Sequence, residues 1–254
     1  MDPEIQLLKH RIKAGEKVVG PVVNIGNTAT VEALGLAGFD FLWFDLEHSP
    51  MGLETLFSLI PACITGGARP IVRVPWNDPA MVKRVLDMGV DGIIVPMVCS
   101  AQEAGNAVAA MRYPPEGIRG IASYRAHDYG FSFADYVASA DARQLTIMQA
   151  EHISAVNNIE AIAAVKGVDL IFIGTNDLCA SMGHMGKTGH PEVLEAVNTI
   201  TRACRKQDIP TGIYAGTPEL ANEFMKEGHS LILLGSDIGH FARHMKGIVE
   251  KVEK

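Results

Sequence analysis

Short apolar segments alternate with amphipathic, helix-like segments along the 254 residues of the chain, and their count of eight predicts a (β/α)8 barrel. The strand-like segments are apolar on both faces, which is typical of parallel strands covered by helices. The main rival is a doubly wound open sheet, which usually carries a GxGxxG turn after its first strand. That turn reads NIGNTAT here, so we expect one α/β barrel domain over residues 1–254.

The predicted elements follow one another without a linker. We expect strands at residues 18–24, 39–45, 70–74, 92–98, 145–150, 168–173, 211–214 and 230–234. Helical patterns lie between them at residues 28–37, 53–64, 79–88, 101–112, 157–165, 191–207 and 218–227. At the end of the chain, Phe241, Met245, Ile248 and Val252 recur at helical spacing and predict a last helix with one apolar face.

One connection, at residues 112–137, is longer than the others. Prolines and glycines in its first half break regular structure, and long connections in compact domains often have a function. It also contains Arg119 and Arg125, so we favour a functional role over a plain surface excursion.

The composition narrows the class of protein. Hydrophobic residues make up 48% of the chain, and the formal charge of −7 argues against a nucleic-acid or anionic-membrane surface. The four cysteines form no CxxC pair, the first residues do not resemble a signal peptide, and no apolar run approaches the ~20 residues that span a bilayer. These features predict a cytoplasmic enzyme with reduced thiols.

Two carboxylates follow the predicted fifth and sixth strands. Glu151 and Asp177 come just after these neighbouring strands, so their side chains can converge at the end of a barrel where function is found. Two carboxylates suit a hard divalent cation such as Mg²⁺ or Mn²⁺. The alternative is that one of them only caps the following helix. From spacing alone, both interpretations stay open.

A histidine and an arginine lie near the ends of the second and third strands. His48 follows Asp45 by three residues, and an imidazole beside a carboxylate is a general base near neutral pH. The alternative is an ordinary histidine of a surface loop. Arg73 lies within an apolar strand and needs an anionic partner, which is either Asp45 or a substrate carboxylate or oxyanion.

The predicted strands contain no lysine. A Schiff-base aldolase needs a lysine inside the barrel, so carbanion chemistry here would depend on a metal. The segment 184–190 carries two histidines but no cysteine or carboxylate at short spacing. We interpret it as a loop of solvated histidines rather than a zinc site.

Six motifs together resemble the HpcH/HpaI aldolase family across nearly the whole chain: GFDFLWFDLEHSP, PIVRVPWND, VLDMGVDGIIVPMV, RYPPEGIRG, GVDLIFIGTNDL and HPEV. The resemblance implies a barrel of the phosphoenolpyruvate/pyruvate type and a class II aldolase. Such an enzyme cleaves or forms 4-hydroxy-2-oxo acids from a pyruvate enolate and an aldehyde, with a divalent metal (Mg²⁺, Mn²⁺ or Co²⁺) as cofactor. It also implies oxaloacetate decarboxylation as a side activity.

The resemblance assigns roles to individual residues. It implies that Glu151 and Asp177 bind the metal, that His48 with Asp45 acts as the base, and that Arg73 contacts the 2-oxo oxygen. A second group is implied to contact or surround the substrate: Gln149, the backbone of Thr175 and Asn176, and Asp87 from a neighbouring subunit, which would reach the His48–Asp45 pair.

The resemblance also implies an assembly. Members of the family are commonly hexamers built as trimers of dimers that exchange the C-terminal helix, which assigns residues 241–252 to a partner's barrel. Three positions depart from the usual pattern and put the acceptor specificity in doubt. Ala150 removes bulk beside Glu151, Thr175 replaces a proline, and Tyr214 replaces an aliphatic residue and is expected to line the substrate pocket.

Three other functions stay open. A CoA-thioester lyase of the citrate-lyase β-subunit type would share the barrel and the metal chemistry. A non-catalytic protein that binds 2-oxo acids is disfavoured by the intact set His48, Arg73, Glu151 and Asp177. A phosphosugar isomerase could use loops after the last two strands, but it would not explain the paired carboxylates.

Overall fold

A computed structural model describes residues 7–253, and these form a closed barrel of eight parallel strands in sequential order. The strands are β1 Val18–Val23, β2 Phe41–Asp45, β3 Arg69–Arg73, β4 Gly92–Val95, β5 Leu145–Ala150, β6 Leu170–Ile173, β7 Thr211–Ala215 and β8 Leu231–Ser236. The predicted fold class is confirmed, and every predicted strand is present. The largest difference is at β4, which ends at Val95 rather than at residue 98.

The α-helices are α1 Leu8–Lys13, α2 Thr28–Leu36, α3 Leu53–Thr65, α4 Pro79–Leu86, α5 Ala101–Met111, α6 Phe133–Arg143, α7 Ile153–Asn157, α8 Ile159–Ala163, α9 Thr175–Ser181, α10 Pro191–Lys206, α11 Pro218–Glu227 and α12 Asp237–Val249. Three of them, α1, α6 and α9, were not predicted. The predicted helix 157–165 corresponds to the last residue of α7 and the whole of α8. The last helix begins at Asp237 rather than at residue 241. The hydroxyl of Ser236 caps it by accepting the N–H of Gly239, a signal that the apolar spacing did not contain.

Two apolar layers hold the fold together. Strand side chains that point inward fill the barrel, with Phe41, Trp43 and Phe172 as its aromatic members. Leu8 and Ile12 of α1 close the end of the barrel at which the strands begin, which we call the amino end. The opposite side chains pack against the surrounding helices in a larger layer. This double burial explains why the strands read as continuous apolar runs.

Buried charges at the amino end form ion pairs. Lys9 of α1 lies 2.9 Å from the Asp169 carboxylate. Arg69 makes a bidentate pair with Asp91, with N···O distances of 2.6 and 3.0 Å. Each of the two carboxylates therefore has a cationic partner, which offsets part of the cost of its burial, although burial still raises the pKa of Asp91.

The long connection is anchored at this same end. It contains a 3-10 segment, Arg125–Gly130, before α6. The Arg119 guanidinium is fully buried, lies 4.5 Å from the Tyr113 ring centroid and donates to the Asp87 carboxylate at 2.9 Å. Arg125 donates to the Met88 carbonyl at 2.8 Å. Both arginines therefore bind the end of α4. Within one chain their contacts are structural, whereas the sequence favoured a functional role for this connection.

Helix α12 leaves its apolar face uncovered. Phe241 is more than half exposed, and Met245 and Ile248 nearly half; the fourth predicted position, Val252, lies beyond the end of the helix and is also exposed. Within residues 7–253, no helix is both long and apolar enough to cross a bilayer.

Candidate active site

An arginine surrounded by carboxylates lies where β2 and β3 end. Asp45 and Arg73 are paired in the register of the two strands, so both side chains emerge at the same level. Arg73 donates to both oxygens of Asp45, at 3.0 and 2.6 Å, and its Nη1 lies 3.0 Å from Oε2 of Glu47. Burial alone would lower the pKa of Arg73, but these partners raise it, so the guanidinium stays charged.

His48 lies at the edge of this cluster. Its imidazole is 62% exposed, and Nε2 lies 3.7 Å from Oε2 of Glu47. The Asp45 carboxylate accepts the backbone N–H of His48 at 3.3 Å, and no contact joins that carboxylate to the ring. In this chain, Asp45 therefore orders the loop that carries His48, while Glu47 is the carboxylate nearest to the imidazole.

Glu151 is almost completely buried at the end of β5. Its Oε1 accepts the N–H of Met97 at 2.7 Å, and its Oε2 accepts from the Gln149 side-chain amide. Burial is the main reason that the pKa of Glu151 is raised to about 7, and the negative charges of Glu47 and Asp177 raise it further.

Asp177 is exposed and lies in the first turn of α9, with Thr175 and Asn176 before it. The preceding residue, Gly174, lies against Glu151, because a Cβ there would be 2.6 Å from the Glu151 Cβ and 2.8 Å from its Oε2. This close approach requires a glycine. It places the start of α9 directly beside the Glu151 carboxylate.

The cluster carries more negative than positive charge. Four carboxylates, those of Asp45, Glu47, Glu151 and Asp177, surround a single guanidinium. Among residues 7–253, no lysine or arginine forms an ion pair with Glu151 or Asp177. The pKa of Glu47 is raised as well, first by burial. A cation at Glu151 and Asp177 would relieve both the repulsion and the desolvation.

Of three further predicted positions, Tyr214 lies at the end of the barrel that holds the cluster, whereas Asp87 and Ala150 do not face it. Asp87 caps the end of α4 at the amino end, so it does not reach His48 of its own chain. Tyr214 is 37% exposed near the end of β7, the end at which the cluster lies. Ala150 was expected to remove bulk beside Glu151, but its side chain does not line the site. Side chains alternate along β5, so Ala150 packs in the outer layer.

Sequence reasoning missed three contributors. Glu47 was not singled out, although its place between Asp45 and His48 could have indicated a role. Met97 donates to Glu151 from a left-handed backbone (φ 55°), a strained conformation that nothing in the sequence indicates. The Asp237 carboxylate accepts the N–H groups of Asn24 and Ile25, both at 2.9 Å, and so fixes the loop after β1.

His184, His190 and Glu192 come together, as in some zinc sites. The two imidazoles, however, are stacked 3.6 Å apart at 17°, so their in-plane lone pairs do not converge on one point. Nδ1 of His190 also accepts the N–H of Glu192, which leaves the proton on its other nitrogen. We therefore keep the interpretation of this segment as surface histidines.

Comparison with known proteins places this site in a family. The model of the HpcH/HpaI aldolase/citrate lyase family matches residues 22–244. The chain belongs to this family. It is 38% identical, over 97% of its length and 96% of the relative's, to a protein of Klebsiella pneumoniae subsp. pneumoniae named 5-keto-4-deoxy-D-glucarate aldolase.

Two solved structures share the fold, and the first of them is named as a member of the same family. An HpcH/HpaI family protein from Burkholderia cenocepacia is 33% identical with a TM-score of 0.93, covering 97% of this chain and 99% of that one. A protein named citrate synthase SbnG is 29% identical with a TM-score of 0.88, covering 96% of each chain. The protein is thus a carbon–carbon lyase, a class II aldolase of the HpcH/HpaI family.

Proposed function

We propose that the enzyme cleaves and forms 4-hydroxy-2-oxo acids, giving pyruvate and an aldehyde, with a divalent cation held by Glu151 and Asp177. The observation that carries this proposal is the surplus of carboxylates beside Arg73 where β2, β3, β5 and β6 end. A substrate with a carboxylate and a 2-oxo group needs positive charge, and Arg73 alone does not balance the residues already present.

The residues fit a hard cation. Oxygen ligands from two carboxylates suit Mg²⁺, Mn²⁺ or Co²⁺. The buried Glu151 is held from both sides, by the Met97 N–H and the Gln149 amide, so its orientation is set in advance. When bound, the cation would act as a Lewis acid that stabilises negative charge on the 2-oxo oxygen.

Each remaining residue has a step. The Arg73 guanidinium has five N–H groups, of which the contacts to Asp45 and Glu47 use three, so two can donate to the 2-oxo oxygen. His48 is exposed enough to reach a substrate and takes the proton of the C4 hydroxyl, directly or through water. The C3–C4 bond then breaks, the aldehyde leaves, and the three-carbon enolate is protonated to pyruvate.

Substrate contacts would come from the start of α9 and from β7. The free N–H groups of Thr175 and Asn176 would receive the carboxylate of the substrate. Tyr214 stands at the opening of the barrel, where its hydroxyl could bond to a hydroxyl of the aldehyde half. Oxaloacetate decarboxylation passes through the same enolate, so we expect it as a side activity.

The relative's substrate indicates which acid to test first. In 5-keto-4-deoxy-D-glucarate, counting from the carboxylate next to the ketone, C2 is the ketone, C3 is the methylene and C4 bears a hydroxyl. It is therefore itself a 4-hydroxy-2-oxo acid, and the 38% identity supports a sugar acid of this class.

Pyruvate release from a panel of 4-hydroxy-2-oxo acids tests the proposal. We expect activity that EDTA removes and that Mg²⁺, Mn²⁺ or Co²⁺ restores. Borohydride with pyruvate should leave no covalent adduct, because the barrel strands contain no lysine. A lysine adduct, or turnover in EDTA, would overturn the metal-dependent mechanism.

The citrate synthase relative keeps a second candidate in view, a lyase or synthase that acts on a CoA thioester. Release of CoA from acetyl-CoA with oxaloacetate, without pyruvate release from any hydroxy-oxo acid, would favour it. Binding of 2-oxo acids without any turnover would instead indicate a non-catalytic relative.

We also propose that the active unit is a homo-oligomer, a hexamer built as a trimer of dimers that exchange α12. The uncovered apolar face of α12 supports an exchange, since burial of such a face is favourable. Asp87 at the amino end could reach His48 only of a neighbouring subunit. Truncation after Gly239 should dissociate the assembly by light scattering, and a fully active monomer would contradict it.

A further inference from the structure

Trp43 lies directly beneath the arginine of the site. It stands two residues before Asp45 on β2, so both side chains point into the barrel. Its register partner on β3 is Ile71, two residues before Arg73. Trp43 therefore occupies the layer just below the Asp45–Arg73 pair, and it is 1% exposed.

The indole ring is in contact with two interior groups. The Arg73 guanidinium carbon lies 5.7 Å from the centroid of the Trp43 ring, within cation–π range. On the far strand β6, the Phe172 ring lies 4.7 Å from it, tilted by 55°. Gly212 makes room for this arrangement, because a Cβ there would be 2.9 Å from Cδ2 of Phe172.

The buried indole nitrogen of Trp43 indicates that this residue does more than fill space in the barrel interior. Nε1 of Trp43 is buried without a hydrogen-bond partner among the described residues, at a typical cost of about 1–3 kcal/mol. Phenylalanine or leucine would fill the interior without that cost. What tryptophan adds is a larger π face, which is the strongest of the aromatic residues in binding a cation.

We propose that Trp43 is a positioning residue that supports the Arg73 guanidinium from below. Asp45 and Glu47 hold Arg73 by its edges, through hydrogen-bonding and ionic contacts. The Trp43 ring adds a contact on the barrel side of the guanidinium that neither carboxylate supplies. The inference rests on the proposed role of Arg73 in holding the substrate oxygen, and it assigns Trp43 no contact with substrate.

A double-mutant cycle tests this coupling. The variants are Trp43→Phe, Trp43→Leu, Arg73→Lys and Trp43→Leu/Arg73→Lys, with Phe41→Leu as a matched control. Phe41 is a fully buried aromatic residue of the same interior cluster and the same strand, and it lies two residues further from the site. Two quantities are measured: kcat/KM for pyruvate release, and the affinity for oxalate, a dianion shaped like the pyruvate enolate.

We expect Trp43→Leu to lower both quantities about tenfold and Trp43→Phe about threefold, following the strength of the cation–π contact. In the Arg73→Lys background, Trp43→Leu should have a clearly smaller effect, because the planar guanidinium that the ring supports is already gone. Phe41→Leu should lower the melting temperature and leave both quantities within about twofold.

Two results would overturn the inference. One is equal loss in Trp43→Leu and Phe41→Leu, which would make Trp43 a simple core residue. The other is additivity of Trp43→Leu with Arg73→Lys. If the parent enzyme releases no pyruvate, the proposed function fails, but the oxalate affinities still decide the role of Trp43.

Discussion

The two ends of the barrel treat buried charge in opposite ways. At the amino end, Asp91 and Asp169 each face a cation, Arg69 and Lys9, at 2.6–3.0 Å. Where β5 ends, Glu151 is equally buried and has only neutral donors around it. At the amino end each of these buried carboxylates is paired with a cation of the same chain, whereas Glu151 at the other end has no such partner.

This difference separates stability from function. Removing one partner of a buried pair leaves an uncompensated charge, so the amino end should be sensitive to mutation but indifferent to ligands. The surplus carboxylates at the opposite end cost stability until a cation binds, so mutations there should remove function while sparing the fold. The expected effects below are ordered by size.

The largest effect should follow neutralisation of Glu151 or Asp177. Glu151→Gln and Asp177→Asn keep the side-chain size but remove a ligand charge, so Mn²⁺ affinity should fall by at least about 100-fold, and pyruvate release with it. Calorimetric titration with Mn²⁺ measures this affinity. The metal-free melting temperature should hold steady or rise, because repulsion is relieved; a large fall would mean that these carboxylates are structural.

Changes at His48 and Arg73 should be nearly as damaging to turnover but should leave the metal in place. We expect His48→Ala to slow cleavage about 100-fold, the usual scale for a lost general base. Arg73→Lys keeps the charge but loses the planar fork that binds Asp45, so it should also fail. Loss of Mn²⁺ binding in these variants to the same extent as in Glu151→Gln would show that the cluster has no division of roles.

At the amino end, Asp91→Asn should lower stability and leave turnover nearly unchanged. It leaves Arg69 without its bidentate partner, and we expect about 2–3 kcal/mol lower stability to urea. The estimate is below that for a fully buried pair because the Arg69 side chain is 25% exposed. The kcat of the folded fraction should stay within about twofold, and a specific loss of kcat would break the comparison between the two ends.

The smallest effect is a pH dependence of stability. The folded pKa of Glu151 is raised to about 7 from an ordinary value of 4.5, so the folded state retains a proton that the unfolded state loses. Stability of the metal-free protein should therefore fall as pH rises from about 4.5 to 7, by at most about 1.4 kcal/mol for each pH unit.

The matched control for that pH dependence is Glu151→Gln, in which this part of the slope should vanish. Saturating Mn²⁺ should also remove it, since a bound cation keeps the carboxylate ionised and binding below pH 7 releases a proton. Identical melting curves of parent and variant across pH 5–8 would contradict the raised pKa.

Part of the site was predictable because its residues lie at strand ends, and strand ends can be located in the sequence. Asp45, Arg73, Gln149 and Glu151 all lie at or beside predicted strand ends, and parallel strands bring those ends together. The contribution of Glu47 was not predictable, since its contact with Arg73 depends on the loop after β2. The positions of Arg119 and Arg125 were not predictable for the same reason: a sequence shows that they lie in a long connection, but not which end of the barrel it covers.

What the sequence determined by itself is the periodic part of the protein: eight doubly apolar strands, the helices between them, and the residue types at each strand end. These follow from local patterns, because side-chain direction repeats along a strand or a helix. The tertiary structure alone decided which charges meet. Lys9 reaches Asp169 across 160 residues, Trp43 lies beneath Arg73, and Glu151 stays without a cation. Those outcomes depend on distances of a few ångströms between segments far apart in the chain, and the energy of a charge depends steeply on such distances.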